Sequence, residues 1–343
     1  MPINFHLNMR KISSLIILIG LIMAISKPCS GEVNQTEITT AQDSTVDVIG
    51  WFCKHDTAVY WIQESTWKIN NTDTIKTAGA STKVMISVTD STETGYKMDY
   101  TFLDVRGDSL ADSELGNFQN KIITLLSKKI IGTTISFETD DCGKILKFNN
   151  LDKIKKQANS VFKETIKEME KLPWIKDAKK MGIDLKKYAK IIDSDQLVEG
   201  YIEELKLLLL FHGNSYNTGE FTETEEATET QYANETYCSI TMDDDGCYSI
   251  LSEVVNTIPQ SEIKALMSSV IDDINNADLT DSFNANFDEA VNVDCNISSY
   301  FKIAYLPNGW PYEAVKQEST TIGQNAKVKQ KYIYLDSYSF YNY

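Results

Sequence analysis

Three short stretches gather residue types that can do chemistry. Asp140, Asp141 and Cys142 stand together in FETDDCGKILKF, and Asp243, Asp244 and Asp245 in SITMDDDGCYSIL. Carboxylates and thiolates ligate metals, so both knots raise the question of a cation site. Calcium loops, however, set their acids at alternate positions and close on a distant one. Here the acids are adjacent, and successive side chains on an extended chain point to opposite faces. Aspartate beside glycine is also the composition of a tight turn. Both knots are expected to reverse hairpins, and no metal site is assigned. The third stretch, Cys53-Lys54-His55, places a thiol near an imidazole. A nucleophile–base pair needs an orienting third group and an oxyanion site; the sequence singles out neither, and a strand end or turn is expected.

No G-x-S-x-G elbow, HExxH helix or phosphate-cradling glycine loop occurs. Spacing alone does not select a catalytic pair from 49 acids. No catalytic residue and no cofactor is assigned, and a non-enzymatic role is expected. The formal charge of −16 over 343 residues repels phosphate backbones, which disfavours nucleic acid as a partner. That charge is uneven: residues 151–190 hold twelve lysines against six acids, whereas residues 191–300 hold two lysines against twenty-three acids.

The elements that must carry these residues are legible in the patterning. Arg10 and Lys11 precede an apolar run from Leu15 to Ile25, followed by Ser26, Ser30 and Gly31. That order is a secretory signal, expected over residues 1–31. Export to the periplasm or the cell surface follows, with lipid anchoring through Cys29 disfavoured by Pro28 before it. No later run approaches the roughly 20 apolar residues of a membrane-spanning helix. Cys53, Cys142, Cys238, Cys247 and Cys295 would remain after cleavage, an odd number with one or two disulfides of unknown pairing. Residues 32–48 are polar and read as a flexible leader.

From TAVYWIQES onward, strand and hairpin signals recur: KVMISVTD with YKMDYTFLDV, TTISF with KILKF, ETYCSITM with CYSILSEV, then SYFKIAYL, WPYEAVKQES and KVKQKYIYLD. Helical periodicity appears near residues 115–125, from Leu151 to Met169, from about Asp184 to Leu208, and over 259–275. The Thr/Glu-rich stretch 211–232 divides the chain into a half at 49–215 and a half at 216–343. Each half repeats a hairpin with an acidic glycine turn followed by a helix, which reads as an internal duplication. The expected fold is α+β: curved antiparallel sheets, half-barrel-like and in two related halves, packed on long amphipathic helices.

The order of these segments, from SFETDDCGKILKF through FHGNSYNTGEF to GWPYEAV and KQKYIYLD, resembles exported bacterial proteins of unknown function. Those are distantly similar to periplasmic lipoprotein-carrier and lipoprotein-localisation folds. The resemblance implies a curved sheet around helices with an apolar concavity, and it carries over no functional residue. Ile166, Met169, Tyr188, Ile192 and Tyr201 are the helix positions that could line such a cavity. The expected role is binding or carrying an apolar or amphiphilic ligand such as a lipid, with an envelope protein as a further partner. The alternatives are a ligand-free interaction module and a carbohydrate-binding or carbohydrate-active protein.

Overall fold

The computed structural model describes residues 40–108, 129–171, 194–227, 232–263 and 294–341. Twelve strands appear there: β1 Thr40–Val48, β2 Thr57–Asn70, β3 Asp73–Thr92, β4 Gly95–Gly107, β5 Thr134–Thr139, β6 Ile145–Phe148, β7 Asn214–Glu225, β8 Ala233–Met242, β9 Tyr248–Ile258, β10 Cys295–Tyr305, β11 Pro311–Ile322 and β12 Asn325–Ser339. Helices α1, Leu151–Glu170, and α2, Ser194–Leu208, complete the described elements. The expected signal at 1–31, the helix near 115–125 and most of that over 259–275 lie outside the described residues. The second half of the stretch read as a leader is strand β1.

Period-two patterning explains why these segments are strands. In β2, Ala58, Tyr60 and Ile62 are buried while Val59 and Trp61 between them are half-buried. In β5, Ile135 and Phe137 are fully buried between half-buried neighbours. Alternation of this kind gives a sheet one packed face and one wetter face.

All twelve strands belong to one antiparallel sheet in the order β1-β7-β8-β9-β10-β11-β12-β2-β3-β4-β5-β6. This overturns the expected fold class. Two related halves laid on long amphipathic helices would give each half its own sheet. Instead strands far apart in the sequence are paired, with Ser339 opposite Thr57 in β12–β2 and Val48 opposite Asn214 in β1–β7. The sheet is the frame, and the two described helices are a minor layer upon it.

Among the described residues, what the two hairpins share is the build of their turns. Asp140 and Asp243 each use Oδ1 to accept the N–H groups two and four residues on, at 2.8–3.1 Å. Their own N–H groups donate to Lys144 O and Cys247 O, and Gly143 and Gly246 donate back to the aspartate carbonyls. Leu306-Pro307-Asn308-Gly309-Trp310 closes β10–β11 with the same backbone bonds. All three glycines have φ between 78° and 94°, the left-handed conformation such hairpin loops demand.

The sheet is strongly curled. Phe52 lies just after β1, with its ring 5.2 Å from Tyr96 of β4, 4.5 Å from Trp310 just before β11 and 5.8 Å from His212 just before β7. Strands β7 and β4 are eight places apart, about 38 Å in a flat sheet at 4.8 Å per strand. One phenyl ring reaches both only if the sheet wraps round. The Gly50 N–H donates to Cys142 O at 2.8 Å, and the Trp51 N–H to Asn308 O at 2.9 Å. The segment after the edge strand β1 thereby crosses the closed end and reaches the β5–β6 turn beside the other edge.

Helix α2 fills the wrap. Val198, Ile202, Leu205 and Leu208, spaced three or four apart, are buried. Tyr305 of β10 donates to Leu208 O, while the Glu204 charge acts on Tyr100 of β4. Helix α1 contributes Ile154, Ala158 and Thr165 to the interior and turns its lysines outward. No described helix is long and apolar enough to cross a membrane.

Candidate functional site

Strand register sorts the concave face into rows running across β9, β10, β11, β12 and β2. The row nearest the closed end is Ile250, Ile303, Ala314, Ile333 and Ile62, all buried. The next row is Ser252, Phe301, Lys316, Lys331 and Glu64. Beyond it come Val254, Ser299, Glu318, Lys329 and Thr66, then Asn256, Ile297, Thr320, Lys327 and Lys68. The outermost row brings Ile258, Cys295 and Ile322 together. Solid core thus grades into a mouth whose β9–β11 side sets Val254, Ile297, Ile258 and Ile322 among Ser299, Asn256, Glu318 and Thr320, and whose β12–β2 side is basic.

The boundary between core and mouth is an ion cluster. Lys331 Nζ sits 2.7 Å from Glu204, 3.1 Å from Glu203 and 3.1 Å from Glu64. Lys316 reaches Glu203 at 3.0 Å and Glu318 at 3.4 Å. Burial pushes the Glu204 carboxyl upward against the pull of Lys331. Burial also opposes the charge on Glu203, but Lys331 and Lys316 outweigh it and hold that carboxyl below its usual range. For Lys331, the desolvation cost is outweighed by its three carboxylates, and its ammonium is held well above the ordinary lysine range. The cluster fastens α2 to β11, β12 and β2, at the depth where the apolar filling stops.

The closed end is an aromatic floor. Trp310 stacks on Phe340 at 5.2 Å, Tyr248 on Tyr305 at 5.1 Å, and His212 packs edge-on to Tyr305. Tyr96 donates to Gly50 O, and Tyr60 to Pro311 O. The His212 Nε2–H donates to Gly309 O at 3.0 Å, since a carbonyl only accepts. Burial depresses its pKa to about 4. An unfolded histidine binds a proton near pH 6.5, so the stability carried by neutral His212 is present above that value and lost as pH falls towards 4. The expected loss is on the order of 3 kcal/mol. Urea unfolding across that window should show a steeper acid dependence for the natural protein than for His212→Gln.

Asp140, Asp141 and Cys142 bring their ligand atoms within 4.8 Å of one another. Asp140 Oδ1 is already spent on two backbone N–H groups, and burial with Asp141 and Asp140 pushes the Cys142 thiol up, away from thiolate. Cys53-Lys54-His55 forms the turn into β2. There Asp56 accepts the Cys53 and Tyr341 N–H groups and ties the chain end to the floor. Among the described residues no disulfide joins the cysteines at 53, 142, 238, 247 and 295, and Cys238 Sγ bonds Ser252 Oγ at 3.8 Å.

Of the expected cavity residues, Ile166 is half-buried on α1. Met169 and Tyr201 lie on α1 and α2 with side chains outside the description, and Tyr188 and Ile192 are outside it altogether. Of the five, only the Ile166 side chain lies within the described structure. The residues that do gather, Glu64, Glu203, Glu204, Lys316 and Lys331, read in the sequence as surface charges. The KVKQK alternation was the available signal, since period two puts all three lysines on one face.

No family model matches the chain, and no curated protein matches it. Among solved structures, one of lipovitellin concerned with lipid–protein interactions is similar over 85% of this chain at 10% identity, with a TM-score of 0.40. This chain spans 26% of the lipovitellin chain. An outer-membrane channel from Pseudomonas putida F1 is similar over 84% of this chain and 98% of its own, at 8% identity and a TM-score of 0.13. Likenesses at this level are weak structural neighbours, and no matching family supports the lipoprotein-carrier resemblance.

Proposed function

We propose that the protein is an exported, non-catalytic binding protein that holds an apolar or amphiphilic ligand on the mouth of its curled sheet. The observation that carries this reading is the change along the concave face. Beyond the layer filled by α2, the face continues with half-buried Val254, Ile258, Ile297 and Ile322 beside a basic strip. A concave, largely apolar surface with a few polar groups at one side is the usual form of a small-molecule site. Export rests on the charged, apolar and small-residue order of residues 1–31. Native mass spectrometry of the protein purified from expressing cells tests the reading. A ligand-bearing mass that exchanges saturably with added lipid is expected. A clean apo mass with no saturable uptake of lipid or fatty acid contradicts it.

A second reading is an interaction module docking through its closed end. It is favoured by Trp51, Met242, Tyr338 and Tyr341, which are 52–66% exposed around the floor. Loss of a co-purifying protein in Trp51→Ser with Tyr341→Ser, and not in mouth variants, would select it.

A further inference from the structure

We propose that Lys68, Lys327 and Lys329 seat the anionic headgroup of the ligand, and that the occupant is a single-chain fatty acid whose tail lies across β9–β11. This deepens the binding reading and rests on it. The three lysines are exposed neighbours on the concave side of β12 and β2, with Lys327 directly opposite Lys68. Like charges directly opposite across a ladder destabilise a sheet. The deeper Lys316 and Lys331 are neutralised by four glutamates, whereas these three have no carboxylate within ion-pair distance among the described residues. Glu318 stands across the ladder from Lys329 but turns to Lys316 instead. The three form a local cation in a chain of net charge −16, so the complementary group they lack is an anion brought from outside.

The tail has a matching surface. Ile258, Ile297 and Ile322 pack with Cys295 and Ile263 as a small apolar cluster separate from the main core. From β12 to β9 is three strand spacings, about 14 Å, within reach of a long acyl chain. A carboxylate at Lys327 and Lys329 would thus lay its tail over Ile297 and Ile258. A neutral ligand would leave the lysine strip unused.

Equilibrium binding of oleate and of oleyl alcohol separates headgroup from tail. The intact protein should bind oleate about tenfold more tightly than the alcohol, from two or three partly exposed charge contacts. Added salt should erode that preference and leave alcohol binding unchanged. Lys68→Glu with Lys327→Glu and Lys329→Glu should abolish the preference. All three side chains are solvent-exposed, and the salt series on the natural protein tests the same preference without any variant. Equal affinity for the two probes overturns the headgroup seat and leaves the binding reading standing. Binding of neither probe overturns both.

Discussion

Replacing Lys331 with methionine is expected to destabilise the protein by about 3–5 kcal/mol, the cost of removing one partner from a buried ion pair. Lys331 is the common partner of Glu64, Glu203 and Glu204, and both it and Glu204 have side chains only 11% exposed. Without it Glu203 keeps Lys316, but Glu204 keeps no cation among the described residues. The pH dependence follows from the two carboxyls. Glu204 is raised in the folded state, so its contribution is present at low pH and lost as pH rises through and above the carboxylate range. Glu203 is depressed, so its contribution is present above that range and lost as pH falls through it. In the natural protein the two oppose each other. In Lys331→Met the burial of Glu204 acts unopposed, so the deficit should be largest near about pH 8 and shrink as acid protonates that carboxyl. Chemical denaturation at several pH values measures it, and adding Glu204→Gln should restore more than half of the loss. A deficit below about 1 kcal/mol would place the cluster in solvent, where exposed pairs contribute little.

Gly309→Ala is expected to cost about 3–4 kcal/mol, against about 1–2 kcal/mol for Gly246→Ala. The two glycines occupy the same position of the same loop, with φ of 79° and 78°. Both variants incur the left-handed strain of a side chain. They differ in what the new methyl meets. At Gly246 the nearest atom is Pro307 Cγ, 3.6 Å away, an ordinary contact. At Gly309 it falls 2.2 Å from Ile49 O and 2.8 Å from Gly50 Cα, both backbone atoms. That backbone cannot yield without disturbing the Gly50 bond to Cys142 and the Trp51 bond to Asn308, which close the floor. Urea midpoints for the pair test whether the segment after β1 seals the sheet. Equal costs would mean that it does not.

Local structure was legible in the sequence to a degree that the assembly was not. The alternation in KVMISVTD, YKMDYTFLDV and KVKQKYIYLD marked strands, because one side of a sheet must be buried. The acid–glycine knots marked hairpins, because a carboxylate can satisfy two turn N–H groups and glycine tolerates positive φ. Periodicity, however, says which face of a strand is packed and nothing about which strand lies beside it. The pairings β1–β7 and β12–β2 join residues more than 150 positions apart, and they turned two apparent halves into one sheet. The repeated turn looked like a duplicated domain because the same short loop solves the same local problem wherever strands reverse. Glu203 and Glu204 follow the apolar logic of α2 only in part. Their worth lies in Lys316 and Lys331, over 100 residues later, which no local pattern discloses.

The claim on which the functional reading stands is that a ligand occupies the concave mouth of the sheet. Val254 and Val255 are adjacent on β9 and point to opposite faces, Val254 to the mouth and Val255 to the outside. Tryptophan placed at each in turn, with a spin-labelled fatty acid as quencher, reads the two faces separately. The added emission at position 254 should be quenched saturably, while that at 255 stays unchanged. Equal quenching at both positions, or at 255 alone, would contradict it.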